Sequence, residues 1–113
     1  MGLFSNLLGK LSGNAAEAHP WPAEAVVIDV RSPNEYACGH VEGALNLPVD
    51  RIVTSIGQHV PDRQQSIVLY CASGMRSGTA KVLLEQQGYS RVINGGSAGN
   101  VALRLGRQVR RTA

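Results

Sequence analysis

Aromatic residues, cysteines and long apolar runs are scarce in this chain of 113 residues, and each scarcity excludes a class of protein. Aromatic residues make up only 4% of the sequence, so platforms for base stacking are few and we expect no nucleic-acid partner. The two cysteines and three histidines make neither a disulfide framework nor a zinc set, and we expect no metal or cofactor. No apolar run approaches the ~18 residues that a membrane span needs.

The length and charge of the chain predict one domain with a basic C-terminus. A chain of this size can form a single core. The net charge of +3 comes largely from four arginines in the last ten residues, which are Arg104, Arg107, Arg110 and Arg111. Such a cluster suits an acidic partner protein. We favour the simpler reading that it is the solvated face of a terminal helix.

The first 24 residues differ in composition from the rest, and we predict an N-terminal amphipathic helix and linker at 1–24 and a folded domain at 25–113. Five apolar residues within 3–11 share one helical face, which suits a packed helix, a membrane-surface anchor or a signal peptide. No basic residue precedes them, so we predict a cytoplasmic protein, with periplasmic export as the alternative. Trp21 in the linker is expected to lie against the domain.

Apolar runs and helical spacing alternate from residue 26 onward. Continuous apolar runs predict strands at 26–31, 45–48, 67–71 and 91–94. Alternating strands and helices, with strands that are apolar throughout, predict an α/β fold. We therefore expect one domain with a mostly parallel central sheet and helices on both faces.

Capping residues predict where the helices begin and end. Ser32, Pro33 and Glu35 form the start of a short helix that Gly39 ends, and a turn follows at 40–44. One helix is predicted after an Asp50 cap, and another from the residues after Arg76 to Gly88. The last helix is predicted beyond a turn at 95–97, with Val101, Leu105 and Val109 along one stripe.

Cys71 lies where a buried strand runs into a tight loop and then a helix. Ligands of parallel α/β sheets bind at the carboxyl ends of the strands, which is where Cys71 falls. Backbone N–H groups of residues 72–77 and the helix N-terminus form a nest for an anion and lower the pKa of a thiol. The alternative is that Cys71 is a small core hydrophobe, which would not need Gly74, Arg76 and a helix start behind it.

The length of the loop separates two kinds of cysteine chemistry. Cysteine-dependent phosphatases place five residues between the cysteine and the arginine, whereas four separate Cys71 from Arg76. A loop shorter by one residue makes a smaller cradle, which suits one extra sulfur atom better than a tetrahedral phosphate. A phosphatase or arsenate-type enzyme is therefore the weaker hypothesis.

These motifs resemble the rhodanese superfamily, and in particular its single-domain members. The matching segments are Ile28–Arg31, Glu35–Tyr36, Gly39–Pro48, Tyr70–Gly78, Ala80–Lys81, Gly88–Tyr89 and Val92–Gly96. The resemblance covers roughly residues 25–106 and leaves the N-terminal 24 outside it. The chain departs from the family at Asn100, which stands near the position where many rhodaneses have a Trp.

The resemblance implies a thiosulfate sulfurtransferase. The Cys71 thiolate would take the sulfane sulfur of thiosulfate or of a persulfide donor, becoming a persulfide, and pass it to a thiol or cyanide. The alternative within the same fold is a sulfur carrier or partner-binding module without efficient turnover of small molecules. It would load Cys71 once and deliver the sulfur to a protein docked at the arginine-rich C-terminus.

The substrate site is predicted from the loop and one neighbouring strand end, and comprises Ala72, Ser73, Gly74, Met75, Arg76, Ser77 and Arg31. Arg76 either binds the incoming sulfonate or braces the loop through carbonyl groups. The hydroxyls of Ser73 and Ser77 can reach the persulfide, although Ser77 can also serve as a helix cap.

The remaining residues of interest have simpler expectations. Gly74 is needed for its backbone conformation, while Met75 and Ala72 form an apolar lip that makes thiosulfate a modest substrate. Arg31 is expected to brace the strand end together with Asp29, and is the better of the two for contact with an anion. His40 is expected to be structural. Cys38 is expected to be buried packing, with a resolving thiol and a disulfide to Cys71 as alternatives.

Overall fold

The structure is a computed structural model that describes residues 20–112, so the helix predicted at 3–11 lies outside the described residues. The elements in chain order are β1 (Val26–Asp29), α1 (Pro33–Cys38), β2 (His40–Val41), β3 (Leu45–Asn46), α2 (Ile52–His59), β4 (Ile67–Cys71), α3 (Met75–Gln86), β5 (Val92–Ser97), α4 (Ala98–Leu105) and β6 (Val109–Arg110).

Strand β4 lies in the middle of a four-stranded sheet of order β3-β1-β4-β5. Every pairing in this sheet is parallel. All five residues of β4 are buried, as expected for an apolar run that is covered on both faces. The predicted parallel sheet is therefore confirmed, and the carboxyl end of its central strand carries Cys71.

Helices cover both faces of the sheet. Successive side chains of each strand point to opposite faces, so the apolar strands contribute to an apolar cluster on each face. Ile67, Leu69 and Cys71 belong to one apolar cluster, which includes residues of α2 and α3. Val68 and Tyr70 belong to a second cluster, which includes residues of α4. The predicted fold class is thus confirmed. In the described part of the chain, no helix has the length and apolar character needed to cross a bilayer.

Of the four C-terminal arginines, only Arg104 lies in the predicted terminal helix, and the other three lie beyond its end. Helix α4 ends at Leu105 because Gly106 adopts a left-handed conformation with φ of 66°. The chain then returns as β6, which pairs antiparallel with β2. Strand β2 lies within residues 40–44, which were predicted to form a turn. The helical stripe predicted through Val109 is therefore wrong. Arg110 instead forms an ion pair with Glu42 at 2.6 Å.

Three further local expectations can be compared with the structure. The Ser32–Glu35 capping box of α1 is confirmed. Helix α2 begins after Arg51 without a side-chain cap, so the predicted Asp50 cap is wrong. Trp21 packs against the domain as expected, with the Arg104 guanidinium 4.3 Å from the centre of its ring.

The close packing at Gly95 leads to a stability prediction. A Cβ at Gly95 would lie 2.6 Å from Val101 Cγ2 and 2.9 Å from Val68 Cγ1, between β4 and α4. We expect Gly95→Ala to lower the free energy of unfolding by about 1–3 kcal/mol through overpacking, as measured by urea denaturation. Gly57→Ala is the matched control, because the exposed Gly57 in α2 has open space around a Cβ. That variant should gain about 0.5–1 kcal/mol. Equal stability of the two variants would contradict the packing described.

Candidate active site

The loop after β4 is shaped by Gly74. Its φ of 98° lies in the left-handed region, and the residue precedes the first turn of α3. The chain can therefore reverse within residues 72–74 and present helical N–H groups towards Cys71. Cys71 itself is buried, whereas Ala72, Ser73 and Met75 are exposed, Met75 to 80%. The apolar lip predicted from Ala72 and Met75 thus lies at the surface around the buried sulfur.

Hydrogen-bond donors surround the sulfur of Cys71. The backbone N–H of Gly74 donates to Sγ at 3.0 Å, and the Ser77 hydroxyl lies 3.5 Å from it. Burial of Cys71 opposes ionisation of its thiol. The Ser77 hydroxyl and the backbone N–H groups of residues 73, 74 and 77 outweigh that cost and lower the pKa of Cys71 to about 7. A large fraction of the sulfur is therefore thiolate at neutral pH.

Asn94 joins this group from the neighbouring strand β5. Its Oδ1 accepts hydrogen bonds from the Ser77 hydroxyl at 2.7 Å and from the Gly96 N–H at 3.1 Å. Its Nδ2 donates to the carbonyl of Gly74 at 3.0 Å. The sequence analysis did not single out Asn94. The available signal was its position at the carboxyl end of the strand predicted at 91–94.

Arg76 is held by a carboxylate rather than by the loop carbonyl groups considered in the sequence analysis. Its Nη1 and Nη2 donate to Glu35 Oε1 and Oε2 at 2.7 and 3.0 Å. The same Glu35 carboxylate accepts from the Ser32 N–H at 3.1 Å. The Arg76 fork, followed by the Ser32 bond, lowers the pKa of Glu35 to about 2. The pair therefore ties the start of α3 to the start of α1. The sequence analysis recognised Glu35 only as a capping residue.

Arg31 is braced at the end of β1. Its Nε and Nη2 donate to the carboxylate of the buried Asp29 at 3.0 and 2.7 Å, and Nη2 also donates to the Gly39 carbonyl at 2.5 Å. The hydrogen bond to Asp29 is the main reason that the pKa of Arg31 is raised. Arg31 also lines an open depression of about 350 Å³ together with Cys38. The expected bracing is what the geometry supports, and contact with an anion stays a prediction.

His40 and Cys38 lie on the α1 side of the site. The His40 ring stacks on Tyr36 with centroids 3.7 Å apart, and its Nδ1 lies 2.8 Å from the Tyr36 carbonyl oxygen, as suits a structural residue. Cys38 is exposed, so its predicted burial is wrong, because α1 turns it away from the core. Both cysteines are free thiols in the structure. Within residues 20–112, no cluster of three or more potential ligands is arranged to hold a metal ion.

The Glu35–Arg76 pair predicts a change of stability with pH. Its carboxylate has a folded-state pKa of about 2 against an ordinary value of 4.5, so its contribution is present above pH 4.5 and is lost as the pH falls towards 2. Because the pair is partly exposed, we expect Glu35→Gln to cost less than about 1 kcal/mol in unfolding free energy at pH 7. The cost should disappear near pH 2 in urea titrations.

Glu85→Gln is the control for that measurement. Glu85 is exposed on α3 and forms no ion pair in the described part of the chain. Its replacement should leave the dependence of stability on pH unchanged. A Glu35→Gln cost that persists at pH 2 would contradict the pairing.

Similar proteins are found both among curated sequences and among solved structures. The thiosulfate sulfurtransferase PspE of Escherichia coli is 40% identical over 67% of this chain and 73% of its own length. A sulfurtransferase of Allochromatium vinosum is 41% identical over 63% of this chain and 64% of its own length. The solved structure of a rhodanese with anions from E. coli is 38% identical and covers 69% of this chain and 92% of that chain, with a TM-score of 0.67.

The Rhodanese-like domain family matches residues 13–100. That range includes β1, the whole loop after Cys71, α3 and β5. The match therefore spans the elements that place the buried sulfur among its donors. The chain belongs to the rhodanese family, and the two relatives from E. coli and A. vinosum described above are named as sulfurtransferases.

Proposed function

We propose that this protein is a thiosulfate sulfurtransferase that works through a persulfide on Cys71. The observation that carries the proposal is a buried sulfur whose pKa is lowered to about 7 by donors from its own loop and from Ser77. A thiolate is the reactive form of cysteine, and lowering its pKa towards ambient pH makes it available without a separate base. The relatives named as sulfurtransferases support the same reaction class.

The first half of the reaction moves one sulfur atom. The Cys71 thiolate attacks the outer sulfur of thiosulfate, forming a bond between Sγ and that sulfur. The bond between the two sulfur atoms of thiosulfate breaks, and its electron pair leaves with sulfite. The outer sulfur keeps the negative charge that it carried in thiosulfate, and sulfite leaves with one more negative charge than it had as part of thiosulfate, so charge and atoms balance without a proton transfer or cofactor. Covalent catalysis of this kind divides one transfer into two easier steps.

The second half returns the enzyme to its starting state. A nucleophile, either cyanide or a thiolate, attacks the outer sulfur of the persulfide. The bond to Cys71 breaks, its electron pair stays on Sγ, and the product is thiocyanate or a new persulfide. Sγ is thus the nucleophile of the first step and the leaving group of the second. The low pKa of Cys71 favours it in the second role as well.

The loop is suited to hold the outer sulfur. Backbone N–H groups of residues 73, 74 and 77 converge on the sulfur position, and such donors stabilise negative charge there. Arg76 is engaged by Glu35, so we assign it a bracing role in the loop. The exposed Ala72 and Met75 give the entrance an apolar lip, which makes thiosulfate a modest donor.

The acceptor and the compartment are predictions that separate experiments test. Repeated turnover with small donors and acceptors distinguishes an enzyme from a carrier that loads Cys71 once. An acidic partner at the C-terminus is less favoured, because Arg107, Arg110 and Arg111 all donate hydrogen bonds within the domain. The predicted cytoplasmic location is tested by N-terminal sequencing of the protein isolated from its own host.

Turnover of thiosulfate tests the role of Cys71. Purified protein should form thiocyanate from thiosulfate and cyanide over many cycles. Cys71→Ser should lose at least about a hundredfold of that rate, because it removes the covalent route. Cys38→Ser is the control, since Cys38 is an exposed thiol outside the Cys71 loop, and it should keep the full rate. Equal activity of Cys71→Ser and the parent protein would contradict the proposal.

Titration of the thiolate tests the loop. In a Cys38→Ser background, the ultraviolet absorbance of the Cys71 thiolate should rise with a midpoint near pH 7. An ordinary cysteine would ionise near ~8.5. Because the folded-state pKa is lowered, the thiolate fraction is high above pH 7 and falls as the pH drops below it. Cys71→Ser provides the blank, and a midpoint at the ordinary value would contradict the donor arrangement.

A further inference from the structure

The Ser77 hydroxyl has one hydrogen and two neighbours that compete for it. Asn94 Oδ1 lies 2.7 Å from Ser77 Oγ, and Cys71 Sγ lies 3.5 Å from it. An amide oxygen carries no hydrogen, so a contact of 2.7 Å requires the hydroxyl to donate to it. Ser77 is fully buried, so the described structure leaves its hydrogen between these two acceptors.

The orientation of the Asn94 amide is fixed from two sides. Its Nδ2 faces the Gly74 carbonyl, which only a donor can satisfy. Its Oδ1 faces the N–H of Gly96, which only an acceptor can satisfy. Exchanging the two atoms would lose both bonds and place an N–H₂ group against a hydroxyl. The oxygen therefore faces Ser77.

The direction of the Ser77 bond depends on the charge of the sulfur. When Cys71 is a neutral thiol, its S–H can donate to Ser77 Oγ while Ser77 donates to Asn94. When Cys71 is a thiolate, it needs donors, and the hydroxyl can rotate to donate to Sγ. Asn94 Oδ1 then keeps the N–H of Gly96 and is not left unsatisfied.

We propose that Asn94 is a positioning residue of this site. Its side-chain oxygen accepts the hydrogen bond of the Ser77 hydroxyl until negative charge on Cys71 makes the hydroxyl rotate and donate to the sulfur instead. The proposal rests on the proposed function for its place in the reaction. Sγ is charged before the first transfer and again after the second, and at both stages the Ser77 hydroxyl donates its hydrogen bond to Sγ. In the persulfide the negative charge is on the outer sulfur and Sγ is neutral. The Ser77 hydroxyl then donates its hydrogen bond to Asn94 again.

The charged groups around the site are paired, so variants of Asn94 act on a constant background. Arg76 on α3 is paired with Glu35 of α1. Arg31 is paired with Asp29 at the end of β1. Tyr70 precedes Cys71 in β4, and burial keeps it neutral by raising its pKa.

Two variants of Asn94 should shift the ionisation of Cys71 in opposite directions. Asn94→Leu keeps the branched shape and the number of heavy atoms and removes the acceptor, so the Ser77 hydroxyl is free to donate to the sulfur. We expect about threefold more thiolate at acidic pH, which corresponds to a midpoint about half a pH unit lower. Asn94→Asp offers a stronger acceptor and a negative charge, so we expect a midpoint about one unit higher, or tenfold less thiolate. The measurement is the thiolate absorbance in the Cys38→Ser background.

The Ser77→Ala background shows whether Asn94 acts through the hydroxyl. Without that hydroxyl the effect of Asn94→Leu should vanish, and the effect of Asn94→Asp should shrink by at least half, to that of a nearby charge. An effect transmitted through the Gly74 carbonyl would persist in this background. Asn100→Leu is the matched control, because it makes the same substitution at an amide that donates to the Gly95 carbonyl instead of the Gly74 carbonyl. It should leave the midpoint unchanged.

The outcomes separate this proposal from the proposed function. A midpoint for Asn94→Leu that is unchanged or raised, or a shift that persists in Ser77→Ala, would overturn the role of Asn94. If Asn94→Leu does not fold, as judged by circular dichroism, the midpoint shift of Asn94→Asp is compared with and without Ser77→Ala. A shift that does not shrink in Ser77→Ala would overturn the role of Asn94. The titration uses no sulfur donor, so a failure of sulfur transfer does not change its result. An unchanged midpoint in the Asn94 variants would likewise leave the sulfur-transfer result intact.

Discussion

The structure depends on placing a partly ionised sulfur where backbone N–H groups can surround it. A buried thiolate costs several kcal/mol unless donors compensate it. Here the end of a central strand delivers Cys71, a left-handed Gly74 reverses the chain, and the first turn of α3 supplies unpaired N–H groups. The burial of β4 on both faces fixes the strand, so the position of the sulfur is set by the core.

Charged and amide side chains near Cys71 brace the backbone rather than converge on the sulfur. Arg76 joins α3 to α1 through Glu35, and Arg31 closes the end of β1 through Asp29. Asn94 joins β5 to the Gly74 carbonyl. The donors at the sulfur are therefore mostly backbone groups, whose position costs little reorganisation during a reaction. With this division, the short loop presents backbone donors to the sulfur while its one arginine is paired with Glu35.

The sequence was sufficient for the fold class and for the position of Cys71 at the end of a buried strand, because both depend on local signals. Apolar runs predicted the parallel strands, and the pattern around Gly74 and Arg76 predicted a tight loop that runs into a helix. Contacts between distant elements could not be predicted in the same way. Glu35 and Arg76 are 41 residues apart, and Asn94 meets Ser77 across 17. The return of the chain after Gly106 as β6 also depended on a partner strand, β2, which carried only a weak signal of its own.

Intact mass measured before and after incubation with thiosulfate tests the central claim most directly. The account predicts that the parent protein gains the mass of one sulfur atom, that Cys71→Ser gains nothing, and that cyanide or dithiothreitol reverses the gain. A gain from another sulfane donor alone would keep the chemistry and change the substrate. No gain from any donor, with Cys71 shown to be a free thiol, would contradict the persulfide mechanism.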